Sequence, residues 1–358
     1  MELNTVTIVL PTYEEFDSLP TLIDSLQLLR DTSLPSLQLI IVDDNSEDGT
    51  EQLISDLNHK WIQLIIRKND RGLSSAVITG LKKADSHICV VMDADGSHPA
   101  NAIPAMVKAI QDGADFAVGS RYIHGGTTED GWGVLRWLNS KIATIMARPF
   151  TKVLDPMSGF LAFSKNTFEN AESLNPVGYK IGLELIVKCK CKKVVEVPIH
   201  FSTRQLGESK LTLGVQVEYI QHVVRLLRFM YPKLVSFFTF ATVGLSGAFV
   251  YLLALHFTAN LFAEVWKGIA LAVLLSMTWN FLWDRKYAFW YARGHSILVQ
   301  YVGFVLVCSV GALANFFITK SLSESNAILY SGLVGVVAGS IIGIVFNFFV
   351  TRHIVFKK

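Results

Sequence analysis

With 358 residues the chain is long enough to bury two separate cores, and its mean hydropathy of +0.39 is distributed unevenly. Charges are frequent and mixed up to about Tyr231, whereas long uncharged stretches follow from Leu234. A net charge of +2 gives a polyanion such as nucleic acid no broad electrostatic support. The four cysteines do not form a disulfide framework. Cys189 and Cys191 have no second Cys or His pair at zinc spacing, and Cys308 in its apolar segment reads as packing.

The first residues, Met1-Glu-Leu-Asn4, lack a basic n-region and a cleavage site, which predicts a cytosolic first domain. Short runs rich in β-branched residues predict strands at Thr5–Leu10, Leu37–Asp43, Ile62–Arg67, Ile88–Met92 and Phe116–Gly119. Helical spacing predicts helices between them at Ser18–Leu29, Thr50–Leu57, Gly72–Ala84 and Pro99–Gln111. Such alternation means a mostly parallel α/β sheet covered on both faces, with ligands beyond the C-terminal strand ends. Polar clusters stand at those ends: 11–15, 43–50, 69–72, 93–99 and 120–122. Each alone reads as a turn with a helix cap, as Asp48-Gly-Thr50 does. Together they predict one substrate site at one sheet edge. Asp93 and Asp95, one residue apart at a strand end, suit a divalent metal bridging a diphosphate.

In this order the clusters resemble the family-two inverting glycosyltransferases of the GT-A fold, over about residues 4–212. The resemblance implies a Rossmann-like, mostly parallel catalytic domain that takes a nucleotide sugar. It implies Pro11, Tyr13, Glu15, Val42, Asp44 and Asp93 as nucleotide-binding residues, with Asp44 reading the base. It implies Asp93, Asp95 and Ser97 as metal ligands and Asp95 as catalytic. Hard carboxylate and phosphate oxygens select Mg²⁺ or Mn²⁺.

Asp155-Pro-Met-Ser-Gly-Phe160, Gly178–Glu184 and Arg204–Lys210 resemble the polyprenyl-phosphate hexosyltransferases, with the dolichyl-phosphate mannose synthases as the nearest subgroup. A phosphate acceptor is already anionic at pH 7, so activation by a general base is unnecessary. Charge neutralisation is needed instead, and Arg suits bidentate phosphate binding. Arg121, Arg136, Ser140, Arg204 and Lys210 are the candidate lipid-phosphate ligands, with Arg121 and Arg204 also assigned to catalysis. Asp155 is expected to shape the site, and Glu184 to be a structural carboxylate paired with a cation. Mannose synthases typically have Gln where this chain has Ser97. The shorter reach of the hydroxyl leaves GDP-mannose and UDP-glucose both open as donors. A processive synthase usually carries Gln-x-x-Arg-Trp, which this sequence lacks.

Val215–Phe229 has the periodicity of a helix lying in a membrane interface or packed on the catalytic domain. Leu234–Leu255, Gly268–Trp283, Ser296–Thr319 and Ser325–Thr351 predict four membrane spans. Basic Arg285, Lys286, Arg293, Arg352, Lys357 and Lys358 put the catalytic domain on the cytosolic side. Asn280, Phe281, Arg285 and Phe289 recur as Asn347, Phe348, Arg352 and Phe356, an offset of 67 residues (347 − 280). At that offset Phe237, Val243 and Gly244 match Phe304, Val310 and Gly311. The duplication resembles the GtrA-like four-helix domain. The expected division is therefore a catalytic domain at 1–212, an interfacial region at 213–233 and an all-α transmembrane domain at 234–358. Gly335, Gly339 and Gly343 form a small-residue stripe for packing, within the domain or between protomers of a homo-oligomer. The repeat also motivates a flippase for the lipid-linked sugar, although no charged residue sits mid-span.

Overall fold

Alternation of side chains along each apolar run decides the architecture of the first unit. The computed structural model describes residues 5–128, 134–175, 181–202, 213–258, 265–324 and 343–357. They fall into two compact units, Met1–Leu226 and Leu227–Lys358, so the division comes within one helix. In the first unit all five expected strands form: β1 (Val6–Thr12), β2 (Leu37–Asp43), β3 (Ile62–Ile66), β4 (Ile88–Val91) and β5 (Phe116–Ser120). The helices between them are α1 (Leu19–Thr32), α2 (Thr50–Leu57), α3 (Leu73–Lys83) and α4 (Ile103–Gln111), the last entered through a 3₁₀ turn at Ala100–Ala102.

Even-numbered residues Val6, Ile8 and Leu10 of β1 join Leu22, Leu26, Met106 and Ile110 of α1 and α4 in one core. Val9 points the other way, to Val42 of β2 and to Ala76, Val77 and Leu81 of α3. Each strand is thus apolar on both faces, which is why the runs read as continuous rather than alternating.

Beyond β5 the chain adds β6 (Thr127–Thr128), α5 (Val134–Ala147), β7 (Leu161–Ser164), α6 (Lys165–Glu169), α7 (Ile181–Lys188), β8 (Val194–Pro198), β9 (His200–Phe201) and α8 (Leu213–Met230). The seven-stranded sheet runs β3-β2-β1-β4-β7-β5-β8. β7 is antiparallel to both β4 and β5, and the other pairings are parallel. β1 to β5 therefore all end at one edge, where the five polar clusters stand. β6 and β9 pair as a separate two-stranded ribbon.

α8 is docked on this unit. Tyr219 donates from its hydroxyl to the Ala143 carbonyl of α5 at 2.8 Å. Glu184 of α7, fully buried, is held by Lys188 at 3.2 Å and by Arg225 of α8 at 3.5 Å, and it accepts the Asn175 N–H at 2.8 Å. Val217, Ile220 and Val224 of α8 stay exposed, as do Leu138, Ile142 and Ile145 of α5. Two joined helices thus each present an apolar stripe.

The second unit is helical: α9 (Pro232–Thr258), α10 (Val265–Trp283), α11 (Ile297–Glu324) and α12 (343–350). Among the described residues, α9 is the one helix long and apolar enough to cross a membrane. Most of the fourth expected span, with Gly335 and Gly339, lies outside the described residues.

The repeat is visible in three dimensions. α10 runs into a π turn at Asp284–Ala288 and α12 into one at Thr351–Val355, preserving the offset of 67 (351 − 284). Aromatic contacts come in matched pairs. Phe240 meets Phe348 at 5.7 Å and 60°, and Phe304 meets Phe281 at 5.7 Å and 60°. Phe237 lies 5.2 Å from Phe348, and Tyr301 lies 5.1 Å from Phe281. Phe289 and Phe356 stack on each other at 4.6 Å, where a pseudo-twofold would pass.

These pairs correct the register expected for the first helix of each repeat. Phe240 corresponds to Phe304 and Gly247 to Gly311, an offset of 64 (311 − 247) rather than 67. Buried Ser236, Phe240, Val243 and Gly247 on α9 match buried Gln300, Phe304, Val307 and Gly311 on α11. A three-residue slip is close to one helical turn, so in an apolar helix similar residues recur on nearly the same face.

A methyl carbon at Gly247 would lie 2.0 Å from Asn280 Oδ1, and one at Gly311 would lie 1.9 Å from Asn347 Oδ1. One at Gly244 meets nothing within 4 Å. Gly247→Val and Gly311→Val should therefore each destabilise the unit by about 1–3 kcal/mol, while Gly244→Val leaves it unchanged. Melting of the three variants in detergent checks this, and equal loss in all three would contradict the revised register.

Candidate active site

The turns leaving β1, β2 and β4 are drawn together by side chains that cap one another's backbone. Asp43 Oδ2 accepts the Ser46 N–H at 2.8 Å, and Ser46 Oγ accepts the Glu14 N–H at 2.9 Å. Asp48, expected as a cap, does cap locally through Thr50 N–H at 3.0 Å, and it also accepts Phe16 N–H at 3.2 Å. Pro11 pairs with Val42 in the sheet, and the Val42 side chain is buried in the core toward α3. Any ligand contact from Val42 would therefore come from its backbone.

Asp44, placed by β2, is buried against Arg67. Arg67 Nε donates to Asp44 Oδ1 at 2.7 Å and its Nη2 donates to the same oxygen. Asp44 Oδ2 accepts Gly72 N–H at 2.7 Å, and Arg67 reaches on to Ser75 Oγ at 2.8 Å. Tyr13, exposed, has the Arg71 guanidinium 5.0 Å over its ring. Neither Arg67 nor Arg71 is among the ligands expected from the sequence, although Arg71 falls in the polar cluster 69–72. The signal for Arg67 is its place as the first charged residue after the apolar run of β3.

The β4 turn holds the carboxylate pair. Asp95 Oδ1 accepts from Ser97 N at 3.0 Å and Ser97 Oγ at 2.5 Å. The N-cap of the following 3₁₀ turn is Pro99, which provides no side-chain cap. His98 Nδ1 accepts the Asp93 N–H at 2.9 Å, and its Nε2 lies 3.9 Å from Asp93 Oδ2. Burial pushes the His98 imidazole below its ordinary pKa, against the opposing pull of Asp93 and Asp95. β7 brings Gly159 beside Asp93: a Cβ there would lie 3.2 Å from Asp93 Oδ1.

Arg121, leaving β5, makes a two-armed pair with fully buried Asp155. Nε donates to Oδ2 and Nη2 to Oδ1, both at 2.7 Å. Burial alone would lower the guanidinium, but the hydrogen bonds and charge of Asp155 outweigh it and hold the pKa above the ordinary value. Asp155 is itself placed by Glu196 of β8, which accepts the Leu154 and Asp155 N–H groups at 2.9 and 3.1 Å. Asp155 thus fixes the Arg121 guanidinium in place. Ser140 of α5 hydrogen-bonds Tyr122 Oη at 2.8 Å. The Arg136 side chain, Arg204 and Lys210 lie outside the described residues.

The residues fit a hard divalent cation. Asp93 and Asp95 offer carboxylate oxygens, Ser97 keeps oxygen lone pairs while donating to Asp95, and the missing Gly159 side chain leaves room beside Asp93. Among the described residues no group of three or more His, Cys, Asp or Glu is arranged so as to hold a metal ion by itself. Remaining ligands would come from phosphate oxygens and water, a coordination habit of Mg²⁺.

A mostly parallel sheet with paired aspartates at the edge where β1 to β5 end, in a chain with a second, apolar helical unit, defines a class. Residues 7–171 match the family described as "Glycosyl transferase family 2", and residues 239–357 match "GtrA/DPMS, transmembrane domain". The chain is 36% identical over 360 residues to a dolichol-phosphate mannosyltransferase of Pyrococcus furiosus, covering 98% of both chains. It is 39% identical to the Saccharomyces cerevisiae dolichol-phosphate mannosyltransferase, over 57% of this chain and 80% of that one. Glucosyl-3-phosphoglycerate synthase of Mycobacterium tuberculosis, solved with Mn²⁺ and UDP-glucose, aligns with a TM-score of 0.49 at 20% identity, over 63% of this chain and 78% of that one. The chain belongs to the dolichol-phosphate mannosyltransferase family, as a family 2 glycosyltransferase carrying a GtrA/DPMS transmembrane domain.

Arg67→Ala should leave Asp44 buried without its cation and cost about 3–5 kcal/mol, read as a lowered melting temperature and weakened nucleotide binding. Unchanged nucleotide affinity would show that Asp44 does not depend on this pair.

Proposed function

We propose that the protein transfers one mannose from GDP-mannose to a polyprenyl phosphate, with inversion, at the cytosolic face of a membrane. The observation that carries this is the Asp93–Ser97 turn and the Arg121–Asp155 pair at one sheet edge, in a chain that matches a mannosyltransferase over nearly its whole length. The names of the relatives favour mannose over glucose.

The acceptor phosphate oxygen would attack the anomeric carbon while the bond to the nucleoside diphosphate breaks on the opposite side. An ionised phosphate needs no proton removed, so no side chain has to act as base. What opposes the reaction is repulsion between two anions. Arg121, locked by Asp155, offers a fixed cation that loses little freedom on meeting a phosphate. Arg136, Ser140, Arg204 and Lys210 are proposed to complete the acceptor site. Asp93, Asp95 and Ser97 would hold Mg²⁺ or Mn²⁺, which when bound neutralises the diphosphate leaving group. Pro11, Tyr13, Glu15 and Asp44 would hold the nucleoside, with Asp44 accepting from the base.

The exposed stripes of α5 and α8 support a membrane-facing surface on the catalytic unit itself. An amphipathic helix binds in proportion to the apolar area it buries at the interface. Ser140 lies on the opposite face of α5 from Leu138, Ile142 and Ile145, turned toward Tyr122.

The test is incubation of membranes containing the protein with polyprenyl phosphate, Mn²⁺ or Mg²⁺, and labelled GDP-mannose or UDP-glucose in parallel. Label from GDP-mannose should enter the organic phase, and a chelator should abolish this. Asp95→Asn should reduce turnover by roughly 10²-fold or more, the scale of losing a group that stabilises transition-state charge, with the protein still folded in membranes. Wild-type rates in that variant, or transfer from UDP-glucose alone, would contradict the assignment.

A further inference from the structure

The carboxylate turn after β4 and the cation after β5 belong to different loops, and one side chain touches the supports of both. We propose that His98 is a positioning residue that holds the Asp93–Ser97 turn in place relative to Arg121. The inference rests on the reading of the site given above.

Three contacts carry it. First, His98 Nδ1 accepts the backbone N–H of Asp93 at 2.9 Å. An amide N–H can only donate, so Nδ1 carries no proton, and the proton of the neutral ring is on Nε2, 3.9 Å from Asp93 Oδ2. The ring thereby bonds the backbone of Asp93 and lies beside its carboxylate without a hydrogen bond to it. Secondly, His98 is buried and stacks on Phe160 at 5.0 Å and 18°, which fixes its plane from the β7 side. Thirdly, its other neighbour is Phe201 at 5.6 Å, edge-on, and the Arg121 guanidinium lies 4.8 Å over the Phe201 ring.

Phe201 is followed by Ser202, whose N–H donates to the Ser97 carbonyl at 3.2 Å. The column Phe160, His98, Phe201, Arg121 therefore closes on the same turn from two directions. Removing the ring takes the Nδ1 acceptor from the Asp93 N–H and so weakens the support of the turn that carries both aspartates. A group that orients a metal-ligating carboxylate without ligating itself belongs to the outer shell, where substitutions cost about 10–100-fold in affinity or activity.

Three substitutions separate the roles of the ring. His98→Asn keeps an acceptor near the place of Nδ1, His98→Gln puts its amide near the place of Nε2, and His98→Phe keeps the stacking alone. Each full-length variant is solubilised, its melting temperature is measured without ligand, and Mn²⁺ affinity in the presence of GDP is titrated. His98→Phe and His98→Gln should weaken Mn²⁺ binding about 10–100-fold, and His98→Asn should recover most of the loss. Wild-type affinity in His98→Phe would overturn the proposal. So would losses in all three variants that follow only their melting temperatures. The titration needs no acceptor, so its outcome is distinguishable from any failure of the transfer reaction.

Discussion

A carboxylate removed from water must be matched by a cation or by several donors, and most of the first unit is arranged around that constraint. Asp44, Asp155 and Glu184 are all buried, and each meets an arginine brought by another element. Arg67 follows β3, Arg121 follows β5 and Arg225 belongs to α8. The first two pairs stand at the edge where the strands end and set the walls of the site. The third ties α8 to the catalytic unit, so a helix with an apolar outer stripe is held as part of the enzyme. Guanidinium groups suit all three places because they stay charged when buried, and at Arg121 the fork also matches both oxygens of Asp155.

β7 is the element that converts a parallel sheet into this particular site. It lies antiparallel between β4 and β5, so the chain immediately before it passes between the turn of Asp93 and the turn of Arg121. That segment contributes Asp155, Gly159 and Phe160 in close succession. Asp155 takes Arg121, Gly159 leaves space beside Asp93, and Phe160 supports His98. One short insertion thus connects the turn of Asp93 with the guanidinium of Arg121.

The helical unit follows a different logic, because burial from lipid supplies little driving force and close packing supplies more. Its order comes from matched aromatic contacts on either side of the Phe289–Phe356 stack, and from Asn280 and Asn347 lying against glycines. The two π turns at equivalent positions indicate that the duplication preserved backbone irregularity as well as sequence. Such bulges persist where a functional or packing role maintains them.

Much of the molecule was legible in the chain because periodicity is a local property. The runs at 37–43 and 50–57 became β2 and α2 with the expected bounds, and the polar clusters at strand ends marked the site edge. The apolar second half and its repeated Asn280 and Asn347 were equally plain. Pairings between distant positions were not. Nothing in the composition around Asp44 names Arg67, since their contact depends on β2 and β3 lying side by side. The place of β7, and with it the roles of Gly159 and His98, depends on strand order, which short apolar runs do not encode. The repeat register slipped by nearly one turn for a related reason: in an apolar helix, letters three residues apart are nearly interchangeable. Local patterning therefore determined which elements form and where charge clusters, while long-range packing alone decided which charges meet and which helix face is buried.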